Sequence, residues 1–353
     1  MTPRERWLAL LRGGCPDRVP CDYWGTAEVT ERLLRDLACS SERELWKRLG
    51  VDRMVRVSPI HPNAREKTWY LQSLYSVWNI GTREVAYGDG AGVYIESVGH
   101  PLAGAATASD VERFPWPDPA AWDTSGLRTE CEQWRDYPIL LGSYEPFLLY
   151  CRLRGGELAF QDLFENPEIV DAALERIHCI HESLLRRCLK EASDLIDFLY
   201  VGEDLGTQES LLMGPTTFRR FIKTRLQSMM DLAHSFGVRV FHHDDGAIRP
   251  LIPELIDMGI DILNPIQWRC RGMEREGLAR DFGARVVFHG GIDNQHTLPF
   301  GTPEDVRRQV AENMEIFRGC KGYIVAPCHN IQPNTPTANI LALYDAVQEL
   351  AAP

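Results

Sequence analysis

Residues 238–259 read VRVFHHDDGAIRPLIPELIDMG. An apolar run ends in His242, His243, Asp244 and Asp245, and a glycine and a helix-like pattern follow. Imidazoles and carboxylates are the groups that hold metals and move protons. His243 and Asp245 are spaced i, i+2, which on an extended segment turns both side chains to one side. A third ligand from the APCHN segment, either Cys328 or His329, would complete three ligands with one position left open. That is the arrangement of a catalytic rather than a structural metal site.

Other apolar runs end in the same kind of residue. They terminate in Asp22-Tyr23-Trp24, Ser58 and His61, Tyr144-Glu145, Glu203-Asp204, Asn264 and Gln267, His289 and Asp293-Asn294, and Cys328-His329-Asn330. Arginine and lysine are absent from this set. Asp204, Asp244, His289 and Asp293 are the candidates for orienting substrate or for acid–base work. Tyr23, Trp24, Glu203, His242 and Asn330 are the candidates for substrate contact. Each has a simpler reading as well: an aspartate before a helix serves as an N-cap, and a single histidine at a strand end serves as a hydrogen-bonded support. What favours chemistry is convergence, because packed acids repel and shift one another unless a cation or a proton sits among them.

Convergence needs a scaffold. The runs carry four to six apolar residues without clean alternation, which fits strands covered on both faces. Helical segments separate most of them, some with clear start signals: Thr2-Pro3-Arg4-Glu5, the SSERELWKRLG stretch closing on Gly50, and TPEDVRRQVAENMEIFRG. Strong helical patterns fill 160–192 and 216–236. Strand–helix alternation repeated about eight times in about 350 residues predicts an α/β fold, a single (β/α)8 TIM-type barrel with its site at the strand C-terminal ends. Residues 81–102 predict a β-hairpin inserted after the second strand, with GDGAG (88–92) as its turn. No linker or repeat divides the chain, so residues 1–353 read as one domain. No GxGxxG or GxxxxGK[ST] follows a strand, which lowers the case for a doubly wound nucleotide-binding sheet.

Composition excludes other classes. The 353 residues are 44% hydrophobic and 25% charged with a net charge of −12, so a nucleic-acid surface is not expected. No 18-residue apolar run predicts a membrane span, and the N-terminal stretch does not read as a secretory signal. Ten cysteines without a CxxC pair fit a reduced, cytoplasmic protein.

The segments TPRERWLALLRGGCPDRVP, LIDFLYVGEDLGTQESLLMGPTTFRRFI, VFHHDDGAIRPLIPELIDMGIDILNPIQ, FHGGIDNQHTLPFGTPEDV and GYIVAPCHNIQPNTPTANILALYDA resemble the uroporphyrinogen decarboxylase superfamily, which includes zinc-dependent methylcorrinoid methyltransferases. The resemblance implies the same barrel and two chemistries. The decarboxylases, cofactor-free, hold a carboxylate-rich tetrapyrrole with arginines after the first strand, an aspartate after the second and a histidine after the last. Here VPCDYWGTAEV lacks the arginines, VRVSPIHP lacks the aspartate, and His329 alone fits. The methyltransferases bind zinc through His-x-Cys and a later cysteine. In that register His243 is kept, Asp245 replaces one thiolate, and His329 or Cys328 supplies the third ligand. The resemblance therefore implies metal-dependent methyl transfer to or from a small molecule, with zinc, or iron or manganese given the harder ligands. It also implies a corrinoid on a partner protein and, since relatives often dimerise, a homodimer. Decarboxylation of uroporphyrinogen III, with Tyr23 or Tyr150 beside His329, is the alternative. A non-enzymatic barrel binding a small cationic ligand between Trp24 and Trp268 is a third reading.

Overall fold

The computed structural model describes residues 1–66, 68–87 and 92–350. In chain order the strands are β1 (Val55–Val57), β2 (Gly81–Tyr87), β3 (Gly92–Gly99), β4 (Ile139–Leu141), β5 (Phe198–Gly202), β6 (Arg239–His243), β7 (Ile262–Asn264), β8 (Val287–Ile292) and β9 (Tyr323–Pro327). Seven form one parallel sheet in the order β1-β4-β5-β6-β7-β8-β9. The order follows the chain, as helical crossovers between parallel neighbours require.

The sheet curls until its edges approach each other. Segment Pro20–Asp22 stands between them: Val325 N donates to Pro20 O and Asp22 N to Val325 O, while Asp52 N, just ahead of β1, donates to Cys21 O at 2.7 Å. The expected first strand is therefore reduced to two isolated bridges, Cys21 with Val325 and Gly25 with Ile331. Pro20 has no N–H to extend the ladder.

Side chains alternate between two buried layers. Leu140, Phe198, Tyr200, Phe241, Ile262, Val287 and Ile324 cluster with Trp7, Trp24 and Met54 inside the curl. Their neighbours Val201, Val240, Leu263, Phe288 and Val325 belong to the larger core beneath the helices. This double burial explains the continuous apolar runs.

The helix signals at Thr2 and Thr302 are capping boxes, and Gly50 closes its helix at φ 66°. The pattern at 160–192 is split into Gly156–Glu165 and Pro167–Ala192, because Pro167 cannot continue a helix but suits its first turn. β2 and β3 pair antiparallel from Gly81–Gly99 to Tyr87–Gly92. Residues 88–91 of the expected GDGAG turn lie outside the described residues. Among the described residues no helix is long and apolar enough to cross a membrane.

Candidate metal centre

β5 and β6 run side by side, with Gly202 opposite His243. A Cβ on Gly202 would stand 2.5 Å from the His243 carbonyl oxygen, and one on Gly206 would stand 2.4 Å from that of Asp245. Glycine at both positions lets the loop after β5 lie directly against the loop after β6. That close approach brings Asp204 to His243 and Asp245. His243 Nε2 is 3.7 Å from Asp204 Oδ1 and 3.9 Å from Asp245 Oδ1. The three residues offer ligand atoms within 4.8 Å of one another. Both Oδ1 atoms are buried and accept no hydrogen bond. The separations are too long for hydrogen bonds but near the ~3.4 Å edge of a tetrahedron with ligands about 2.1 Å from a central ion.

The proton on His243 is fixed from behind. Asp22 is fully buried and accepts hydrogen bonds from Tyr23 N, Trp24 Nε1 and Met54 N. Burial would raise its pKa, yet its hydrogen bond to His289 and the nearby Arg53 hold it below the usual value. Asp22 is therefore an ionised acceptor, and His289 Nε2, 3.2 Å from Asp22 Oδ2, must donate. Burial lowers the His289 pKa against the pull of Asp22; in the neutral ring this favours, Nδ1 accepts, and the partner at 2.7 Å is Asn264 Nδ2. The other end of that amide, Asn264 Oδ1, is 2.6 Å from His243 Nδ1, which must then donate. One consistent polarity runs Asp22–His289–Asn264–His243 and leaves the lone pair of His243 on Nε2, facing the two free carboxylate oxygens. Outer partners of this kind set the tautomer and orientation of a metal-binding histidine.

A second imidazole stands at the rim. His329, half-buried, places Nε2 4.0 Å from Asp245 Oδ2, with its ring 6.4 Å from that of His243. Burial lowers its pKa against the pull of Asp245, favouring the neutral form that binds metals. Burial raises the pKa of Asp245, and the Asp204 charge adds to this while the two imidazoles oppose it. Two carboxylates without a cation between them is the situation a divalent ion would relieve.

The family model described as uroporphyrinogen decarboxylase matches residues 85–350. The chain belongs to the uroporphyrinogen decarboxylase family. It is 26% identical over 146 residues to a uroporphyrinogen decarboxylase of Thermus thermophilus, covering 40% of this chain and 39% of that one. It is 21% identical over 231 residues to one of Coxiella burnetii, covering 61% and 58%. The chain thus matches about two fifths of the length of its Thermus relative. A solved methyltransferase from Methanosarcina mazei shares the fold across 100% of both chains, with a TM-score of 0.66 and 21% identity.

Within this uroporphyrinogen decarboxylase family frame, several sequence expectations need correcting. Phe241, His243 and Asp245 follow the inward face of β6, so His242 and Asp244 face the helical layer. Both are fully buried. His242 Nδ1 bonds the Val201 carbonyl, and Asp244 Oδ1 accepts from Leu205 N. Neither is placed to touch a substrate. Asp293 caps the turn after β8, accepting from Gln295, His296 and Thr297 N and pairing with Arg269 at 2.5 Å. Glu203 accepts from Phe147 and Leu148 N at the start of the helix Pro146–Arg154. Tyr23 turns outward to Thr30, and Tyr150 to Asp162. Cys328 stands apart from the grouped ligand atoms: its buried thiol donates to the Ile266 carbonyl at 3.0 Å, and burial raises its pKa. His289 is enclosed and acts through Asn264. Asn330 is half-buried, its carbonyl bound by Gln332. Trp24 does line the cluster, stacked on His243 at 6.0 Å. Asp204, expected to do acid–base work, stands instead with His243 and Asp245 among the groups that could hold a metal ion.

Asn264, at a strand end, connects the two histidines. Arg56 sits mid-strand in β1 and faces inward, between Trp24 and Trp69. Cation-binding between Trp24 and Trp268 is also disfavoured, because Arg56 already lies over Trp24 and both Arg269 and Arg275 lie over Trp268.

Proposed function

We propose that this member of the uroporphyrinogen decarboxylase family catalyses metal-dependent methyl transfer to or from a small molecule, in concert with a corrinoid carried by a separate protein. The observation that carries the reading is the meeting of three unsatisfied ligand atoms, Asp204 Oδ1, His243 Nε2 and Asp245 Oδ1, with the His243 proton held on the opposite nitrogen. His329, its Nε2 4.0 Å from Asp245 Oδ2, would serve as a further ligand. A divalent ion held there would supply Lewis acidity and lower the pKa of an acceptor bound at its open position. The residues present are oxygen and nitrogen donors without a thiolate, so zinc fits, while iron and manganese gain relative to a thiolate site. Trp24 and Tyr200 stack on the His243 ring and keep water from its inner side. Asn264, His289 and Asp22 hold the ring's orientation. The likeness to a methyltransferase supports the reading at the level of fold. We further infer that Pro20–Trp24 closes the sheet as the eighth stave of a single (β/α)8 barrel.

Decarboxylation is the second reading, favoured by the names of the curated relatives. Against it stands the acidic rim at Asp204 and Asp245, which repels a substrate with eight carboxylates. Metal analysis of the purified chain and of His243→Ala tests the first reading, and conversion of uroporphyrinogen III to coproporphyrinogen tests the second. Bound metal lost in the variant, with no tetrapyrrole turnover, is the expected result.

A further inference from the structure

Arg56 occupies the middle of β1, whose flanking Val55 and Val57 pack into the outer core. Its guanidinium carbon lies 4.3 Å from the centre of the Trp24 ring and 4.4 Å from that of Trp69. Among the described residues it forms no salt bridge or hydrogen bond, and its Nε and Nη2 atoms are buried without a partner. Asp22, whose charge it feels, is already engaged by four donors and by Arg53 at 3.6 Å. Burial pushes the guanidinium pKa down to about 9, with Arg53 adding to the effect. Buried charges are ordinarily paired, and every polar N–H is ordinarily satisfied. Cation–π contact with two indoles offsets part of the lost hydration but leaves the in-plane donors unused. Those donors form a fork that matches a planar carboxylate. Trp24 touches both Arg56 and His243, so the fork stands one ring away from the metal cluster.

We propose that Arg56 is the anion-binding residue of this site and receives the carboxylate of a small substrate, with Trp24 and Trp69 holding the guanidinium plane. Placing the substrate's reacting end at the cluster of Asp204, His243 and Asp245 rests on the metal reading above, whereas carboxylate capture does not. A small acid thereby enters an acidic rim past Asp204 and Asp245 because one matched fork outweighs distant like charge.

The test uses the full chain and intrinsic tryptophan fluorescence, since two indoles flank the guanidinium. Benzoate and acetate are titrated, with benzamide as the neutral isostere of benzoate. Saturable quenching by benzoate is expected, weakened about tenfold or more for benzamide and about tenfold or more in Arg56→Gln. Arg56→Lys keeps the charge without the fork, and an intermediate affinity is expected of it. Thermal melts show whether each variant is folded, and the lysine variant carries the test if the glutamine variant is not. No saturable benzoate response in the native chain, equal binding of benzamide, or undiminished binding in both variants would overturn the proposal. Metal content measured on the same samples keeps the two readings apart. Benzoate binding without metal removes the methyl-transfer reading and leaves this one, and metal without Arg56-dependent binding does the reverse.

Discussion

Asn264 Oδ1 lies 2.6 Å from His243 Nδ1, and the opposite end of the same amide lies 2.7 Å from His289 Nδ1. One asparagine thus dictates the tautomer of an imidazole whose other nitrogen faces two free carboxylate oxygens. Truncating it in Asn264→Ala leaves the His243 proton free to move to Nε2. Metal affinity is expected to fall about 10- to 100-fold, read by competition with a chromophoric chelator. His243→Ala serves as the zero point. Unchanged affinity in Asn264→Ala would show that the relay does not matter to the cluster.

Cys328 and His329 are adjacent but face different environments. The thiol is spent on the Ile266 carbonyl, and the imidazole reaches toward Asp245. Cys328→Ser is expected to keep the native metal content, and His329→Ala to weaken binding. The opposite ranking in elemental analysis would return the thiol to the ligand set.

Asp22 gathers donors from Tyr23, Trp24, Met54 and His289. Asp22→Ala strands several of them in a dry interior. The expected loss is about 3–5 kcal/mol, measured by urea unfolding with an unchanged m-value. A loss below about 1 kcal/mol would mean that water replaces the carboxylate.

His181 is buried, stacked on Trp78 at 5.5 Å, and its Nδ1 donates to the Ile177 carbonyl. Burial pushes its pKa down from 6.5 to about 4. The unfolded chain takes up this proton near the ordinary value, and the folded chain resists it. The contribution is therefore fully present above about pH 6.5 and is lost as pH falls toward 4, by up to about 1.4 kcal/mol per pH unit. In His181→Phe, the stability profile between those limits is expected to flatten. An unaltered slope in the variant would place the titration elsewhere.

The strands and several helix starts were legible because their signals are local: apolar runs of strand length, capping boxes at Thr2 and Thr302, and Gly50 at a helix end. The pairing of His243 with Asp245 was legible for the same reason, since alternation along β6 is a local rule. Applied to the neighbouring positions, that rule also excludes His242 and Asp244, which share the outer face. Asn264 and His289 act over 21 and 25 residues of separation, and no spacing rule spans such distances. Arg56 lies mid-strand rather than at a strand end, and Val-Arg-Val in a strand between two buried layers places the arginine opposite its neighbours. Asp293, a candidate for acid–base work by its place at a strand end, is spent on the N–H groups of the turn that follows.

We propose that Asp204, His243 and Asp245 jointly hold one divalent ion. Elemental analysis of chain incubated with zinc, iron or manganese and then dialysed tests it most directly. Close to one ion per chain is expected, lost in His243→Ala and in Asp245→Asn, and retained in Asp293→Asn, whose carboxylate is engaged by the turn N–H groups and Arg269. A native chain that holds none of the three metals, or a His243→Ala chain that holds as much as the native one, would contradict it.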